Sequence, residues 1–133
     1  MSGKRSRTKG HNFERWLVNF LKEHFKGCHT HRGLQSQGAV VPDVFLEFPD
    51  GVSAWWECKV GARPNIKKAL EQAERDALKA SNHKSLILTC VKFDREEPIV
   101  SMRLQEFVRL FSYLVLEPEV NSSWLFGEGE NDE

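Results

Sequence analysis

The segment 40–60 constrains the fold more than any other part of the chain. Two runs rich in β-branched and aromatic residues, Val40 to Phe48 and Val52 to Val60, flank Pro49-Asp50-Gly51. Such runs favour extended backbone. Proline presets φ and glycine accepts φ > 0 in the intervening turn, so the two runs are predicted to join as a β-hairpin. Side chains alternate between faces along a strand. Trp56, Cys58 and Val60 therefore form an apolar set that faces a core, while Glu57 and Lys59 project together from the other face. Asp43, near the start of the partner strand, comes opposite them. Two carboxylates and an ammonium then share one patch.

The remaining elements supply the cover this hairpin needs. Phe13, Trp16, Leu17, Phe20 and Leu21 follow the spacing of one helical stripe, which predicts a helix from about Asn12 to Lys26, ended by Gly27. The segment Arg32 to Gly38 has neither helical nor strand period and reads as a loop. Pro64 suits the first turn of a second helix, whose stripe is Ile66, Ala69, Leu70, Ala73 and Ala77. Ser85 to Phe93 is a near-continuous apolar run, the pattern of a strand buried on both faces. Ile99 to Met102 makes a further short strand, and Leu104, Phe107, Val108, Phe111 and Leu114 a third helix. The order α-β-β-α-β-β-α predicts an α/β fold, a mixed sheet flanked by helices. The expected division is a basic arm over 1–11, a single domain over 12–117, and an extension over 118–133 with an acidic, disordered end.

Charge sharpens this division. The chain of 133 residues carries 19 basic and 19 acidic side chains, a formal net charge of zero. Residues 1–92 hold 16 basic against 9 acidic, however, and residues 93–133 hold 3 against 10. Neutrality is thus the sum of two opposites, and the basic part is the one expected to meet a polyanion. No apolar run approaches the roughly 20 residues that span a bilayer. Met1-Ser2-Gly3-Lys4-Arg5 has no apolar stretch behind it and does not read as a secretory signal. Cys28, Cys58 and Cys90 are odd in number and widely spaced, which fits reduced thiols in the cytoplasm.

Asp43, Glu57 and Lys59 are the residue types a hydrolytic Mg²⁺ site uses. Mg²⁺ takes one or two carboxylates and keeps waters and substrate phosphate oxygens. An ammonium nearby can orient the attacking water or balance charge developing on phosphate. The bland alternative is a solvated same-face pair with a stray acid; the alternation on a hairpin favours the site.

At this point the sequence resembles the PD-(D/E)-x-K nuclease superfamily, and within it the archaeal-type Holliday junction resolvases and their phage-encoded relatives. The resemblance covers roughly Lys9 to Phe111. It is carried by Lys9-Gly10…Phe13-Glu14, the Arg/Ser/Gly loop, Pro42-Asp43-Val44, Glu57-Cys58-Lys59, Lys68-Ala69-Leu70-Glu71-Gln72-Ala73 and Asp94-Arg95-Glu96-Glu97-Pro98. It implies a restriction-endonuclease-like sheet and a Mg²⁺-dependent structure-selective DNA endonuclease, with Mn²⁺ able to substitute and no small-molecule cofactor. By the resemblance, Glu14 joins Asp43 and Glu57 at the metal, and Ser36 and Gln72 support catalysis. On residues alone, Glu14 is equally a surface acid near a helix N-terminus, Ser36 a loop serine and Gln72 a solvated helix residue.

Lys4, Arg5, Arg7 and Lys9 in the arm, Arg32 in the loop, and Arg63, Lys67 and Lys68 around the second helix are candidate DNA contacts. Such charges bind phosphate without reading sequence; scattered over a surface they serve only solubility. Paired symmetric nicks in a four-way junction need two active sites, so a homodimer is implied. His24, Cys28, His29 and His31 are zinc-binding residue types, but their spacing matches no common structural zinc pattern and reads as a polar connection. Trp55 and Trp56 read as packing residues. Trp124-Leu125-Phe126 is expected either to fold back on the core or to meet a second subunit. The remaining alternatives are another superfamily nuclease with a different substrate, and a non-catalytic DNA-binding protein of the same fold.

Overall fold

Helix α1 spans Ser2–His24, so it begins ten residues before the predicted start. The expected basic arm is therefore the first turns of this helix, and the division drawn at residue 11 falls inside it. Lys and Arg are good helix formers, but these turns touch no core and so carry no apolar stripe to announce them. From Phe13 onward the stripe appears in part: Phe13, Leu17 and Leu21 are buried together with Val18, but Trp16 and Phe20, predicted on the same stripe, are left exposed. The computed structural model describes residues 2–34, 39–82 and 84–116. Ser36, Trp124-Leu125-Phe126 and the acidic end lie outside the described residues.

Strand β1 (His29–Arg32) follows, where the sequence pattern predicts a connection and the start of a loop. Its residues His-Thr-His-Arg show no apolar alternation, and it is a strand because it pairs antiparallel with β2 (Val44–Glu47). The run expected over Val40 to Phe48 contracts to those four residues. The turn forms at Pro49-Asp50-Gly51 as predicted, with Gly51 at φ +93° and the Val52 amide donating to Asp50 Oδ1 at 3.2 Å. Strand β3 (Ser53–Gly61) returns antiparallel to β2.

Helix α2 (Ile66–Lys79) starts after Asn65, whose side chain accepts from the Lys68 amide at 2.9 Å. Asparagine, not Pro64, thus caps this helix, and Pro64 lies before the cap rather than in the first turn. The helix is the crossover that parallel strands require, for β4 (Leu86–Phe93) runs parallel to β3. Strand β5 (Ile99–Ser101) and helix α3 (Leu104–Leu116) follow. The sheet order is β1-β2-β3-β4-β5, a mixed α/β sheet with one strand more than the predicted order.

Alternation divides the sheet faces. Val44, Leu46, Ala54, Trp56, Cys58, Leu86, Leu88 and Cys90 pack under α1 in the main core. On the other face Trp55, with Ala73 and Ala77 of α2, forms a second, smaller core. Both tryptophans of β3 are packing residues, as expected. The second core has a consequence for the site: the face bearing Glu57 is partly roofed by a helix.

Candidate active site

Glu57 and Lys59 do share a face, but not as a surface patch. Glu57 is 5% exposed, while the Lys59 side chain is 41% exposed, with Nζ 3.6 Å from Glu57 Oε2. Sequence reasoning misses this burial because it has no means of placing α2 over the strand. Asp43 is positioned by backbone on both sides. Its amide donates to the Trp56 carbonyl at 3.1 Å, its carbonyl accepts from the Gly33 amide at 3.1 Å, and its Oδ2 accepts from the Cys58 amide at 2.8 Å. A Cβ at Gly33 would overlap the Pro42 carbonyl oxygen, so only glycine lets the end of β1 lie this close to Pro42-Asp43.

Burial dominates the electrostatics. It raises the Glu57 carboxyl to about 8, with the Asp43 charge adding to the rise and Lys59 opposing it. Asp43 is raised for the same reason, opposed by the Cys58 amide, by Lys59 and by a hydrogen bond with Glu57. Two carboxyls that share a site cannot both ionise without a compensating cation. Asp76, on α2, raises both further. No motif in the sequence marks this third acid; only the packing of α2 on β3 brings it near.

Glu14 approaches from α1. It is raised by burial and by Asp43, and lowered by Arg32, whose Nε and Nη2 both donate to its Oε1, at 3.2 and 3.0 Å. Arg32, expected as a free DNA contact, is thus engaged by Glu14. Gln72 is half-buried on α2, one turn before Asp76 and so on the same side of the helix.

A divalent cation fits Asp43 and Glu57 on chemical grounds. Both offer hard oxygen ligands, and their raised affinity for protons is what a cation would replace. Thr89, beside Glu57 in the β3–β4 register, is fully buried and its hydroxyl has no protein partner, so the pocket floor has polar capacity to spare.

The other basic candidates lie at the surface. Lys4, Arg5 and Lys9 line one shallow depression on α1 together with Thr8 and Asn12; Arg7 is exposed on the same helix but does not line it. Lys9 Nζ also pairs with Asp94 at 2.6 Å. Arg63, Lys67 and Lys68 are exposed around the start of α2.

With this geometry established, comparison with known proteins decides the family. The model of the family described as archaeal Holliday junction resolvase (Hjc) matches residues 5–114. The chain belongs to this family. It is accordingly a nuclease, a metal-dependent phosphodiester hydrolase acting on branched DNA. The fold is similar to that of Archaeoglobus fulgidus Hjc, a Holliday junction resolvase from an archaeal hyperthermophile, with a TM-score of 0.50 and 18% identity. That similarity covers 70% of this chain and 76% of the other. No curated protein sequence matches. No helix among the described residues is long and apolar enough to cross a membrane.

Proposed function

We propose that this Holliday junction resolvase is Mg²⁺-dependent, with Mn²⁺ as a substitute, and makes paired symmetric nicks in four-way junctions as a homodimer. One observation carries the reading: Asp43 and Glu57 lie together, largely buried, with the Lys59 ammonium 3.6 Å from Glu57. Asp43 and Glu57 would hold the ion. Glu14, held by Arg32, would complete the set of carboxylates at the ion. When bound, the ion supplies Lewis acidity to the scissile phosphate and acidity to a coordinated water. Lys59 orients the attacking water or balances the charge developing on the phosphate. Gln72 supports the site from α2, and Ser36, outside the described residues, is the other supporting residue.

The basic turns of α1 suit a phosphate partner. No acidic residue occupies the first turn of this helix, whereas Lys4 and Arg5 sit there, at the end where the helix dipole disfavours cations, and Arg7 and Lys9 follow in the next turns. Backbone phosphates between these side chains offset that repulsion. Arg63, Lys67 and Lys68 extend the contact toward the site, and the chain works where DNA is, in the cytoplasm.

Dimerisation is supported by α3. Two of its polar side chains reach back toward β4: Glu106 Oε2 accepts from the Ile87 amide at 2.8 Å, and Arg109 donates to the carbonyls of Lys84 and Ser85. Leu104, Phe107, Val108 and Phe111 are left exposed, as is Val100 of β5. A contiguous apolar face of this kind marks an interface, and a second copy of the chain also supplies the second active site that paired nicks require.

The test is incubation of a labelled four-way junction, and of a linear duplex of the same sequence, with the protein and Mg²⁺. Symmetric cutting of the junction alone, abolished by Asp43→Asn, is expected. Equal cutting of both substrates points to another nuclease activity. Junction binding without cleavage in Mg²⁺ or Mn²⁺ points to a non-catalytic protein.

A further inference from the structure

We propose that His29, His31 and Glu47 form a binding site for a transition-metal dication of the Zn²⁺ type on the outer edge of the sheet, separate from the nuclease centre. The β1–β2 register sets His29 directly opposite Glu47. His31, two residues along, falls on the same face. One ligand atom from each of the three lies within 4.8 Å of the others, an arrangement found at no other cluster of such residues among those described. A tetrahedral Zn²⁺ site needs ligand atoms about 3.3 Å apart, given bonds of about 2.0–2.1 Å. His31 Nε2 and Glu47 Oε2 are already 3.0 Å apart, and a His29 ring nitrogen lies within 4.8 Å of a ligand atom of each.

The imidazole of His31 is prepared for this role. Its Nδ1 donates to the Arg32 carbonyl at 3.2 Å, which directs Nε2 toward Glu47. A backbone carbonyl on the far ring nitrogen is the usual device that orients a metal-binding histidine. The ring is further fixed by stacking on Phe45, with centroids 5.7 Å apart, and Phe45 in turn lies against Trp55 of the second core. His29 lies beside it, ring centroids 4.8 Å apart. A bound cation would take the place of the direct Nε2–Glu47 contact.

The donor set selects the ion. Two imidazoles and one carboxylate suit Zn²⁺ and its neighbours, whereas Mg²⁺ prefers oxygen ligands and retains its waters. Three protein ligands leave a fourth position for water. The cluster is open to solvent, since His29 and Glu47 are exposed. Glu47 is four strand residues from Asp43, roughly 13 Å along the chain, so the two sites do not share ligands. Spacing along the sequence could not show this site, because the third ligand comes from the next strand. A bound ion would clip β1 to β2, and β1 carries Arg32, the partner of Glu14.

Zn²⁺ titration of the untagged full chain by calorimetry tests the proposal. The protein should carry Asp43→Asn and Glu57→Gln, so that the nuclease carboxylates cannot contribute. One Zn²⁺ per chain is expected, insensitive to excess Mg²⁺ and accompanied by a rise in melting temperature. Affinity should fall by at least roughly tenfold in each of His29→Gln, His31→Gln and Glu47→Gln, since even outer-sphere losses cost that much. Circular dichroism establishes that each variant is folded, and the exposed Glu47→Gln change carries the test if a histidine variant is not. No binding, binding unchanged in folded variants, or equal competition by Mg²⁺ would overturn the proposal. The nuclease reading stands or falls on the junction assay, independently of this result.

Discussion

At the scale of single residues, the buried Asp43–Glu57 pair sets how the protein responds to pH. The Glu57 carboxyl is raised from 4.5 to about 8. A group raised on folding contributes stability below its unfolded value and loses it as pH rises through the folded one. In chelator, the melting temperature should therefore fall between about pH 4.5 and 8 and then level off. Asp43, raised as well, adds to the same slope; Lys59 opposes it, and Asp76 reinforces it. Saturating Mg²⁺ should flatten the curve by taking the place of the proton. Glu57→Gln should flatten it without metal, raise the melting temperature at pH 8 by several degrees, and abolish cleavage. A scan of melting temperature against pH, with and without Mg²⁺, reads the stability changes, and the junction assay reads the loss of cleavage. A melting temperature that is indifferent to both pH and Mg²⁺ would contradict the assignment. Arg32 is the second residue of consequence. Arg32→Ala leaves Glu14 largely buried without its two charged hydrogen bonds, at a cost of about 2 kcal/mol. Denaturant unfolding measures the loss, and Arg32→Lys should recover only part of it because an ammonium lacks the planar fork.

At the scale of elements, α1 and β1 are where sequence and structure part. Helix α1 runs through a basic stretch that has no apolar period, and β1 is four polar residues at a sheet edge. The first turns of α1, and β1, carry neither the alternation nor the stripe by which a sequence announces its elements, because neither segment is built round an apolar face of its own; the stripe of α1 starts only at Phe13. The hairpin, α2, β4 and α3 do carry such patterns and were legible to within a few residues. For α1, the triple variant Lys4→Ala, Arg5→Ala, Arg7→Ala should weaken junction binding alike for all sequences. The slope of log affinity against log salt should fall by roughly 3, about one for each phosphate that is no longer neutralised. Binding measured across a salt series checks this, and an unchanged slope would remove α1 from the DNA surface.

At the scale of the whole molecule, α3 turns Glu106 and Arg109 toward the sheet and its phenylalanines outward. Phe111→Asp should convert a dimer into a monomer, as light scattering would show. Cleavage should then fall to single, unpaired nicks, while the fold persists because Leu110 and Tyr113 are the α3 residues that pack on the core. A dimer that survives this change would place the interface elsewhere.

The sequence by itself determined the hairpin, the shared face of Glu57 and Lys59, and Asp43 opposite them, because strand alternation and turn chemistry are local. It also placed the basic surplus in the part of the chain that holds the site. Only the tertiary structure decided that Glu57 is buried, that Arg32 serves Glu14 rather than solvent, that Asp76 adds a third charge, and that Glu47 meets two histidines across β1 and β2. Each of those depends on which element packs over or beside another. Such contacts join residues far apart in the chain, and no local period records them.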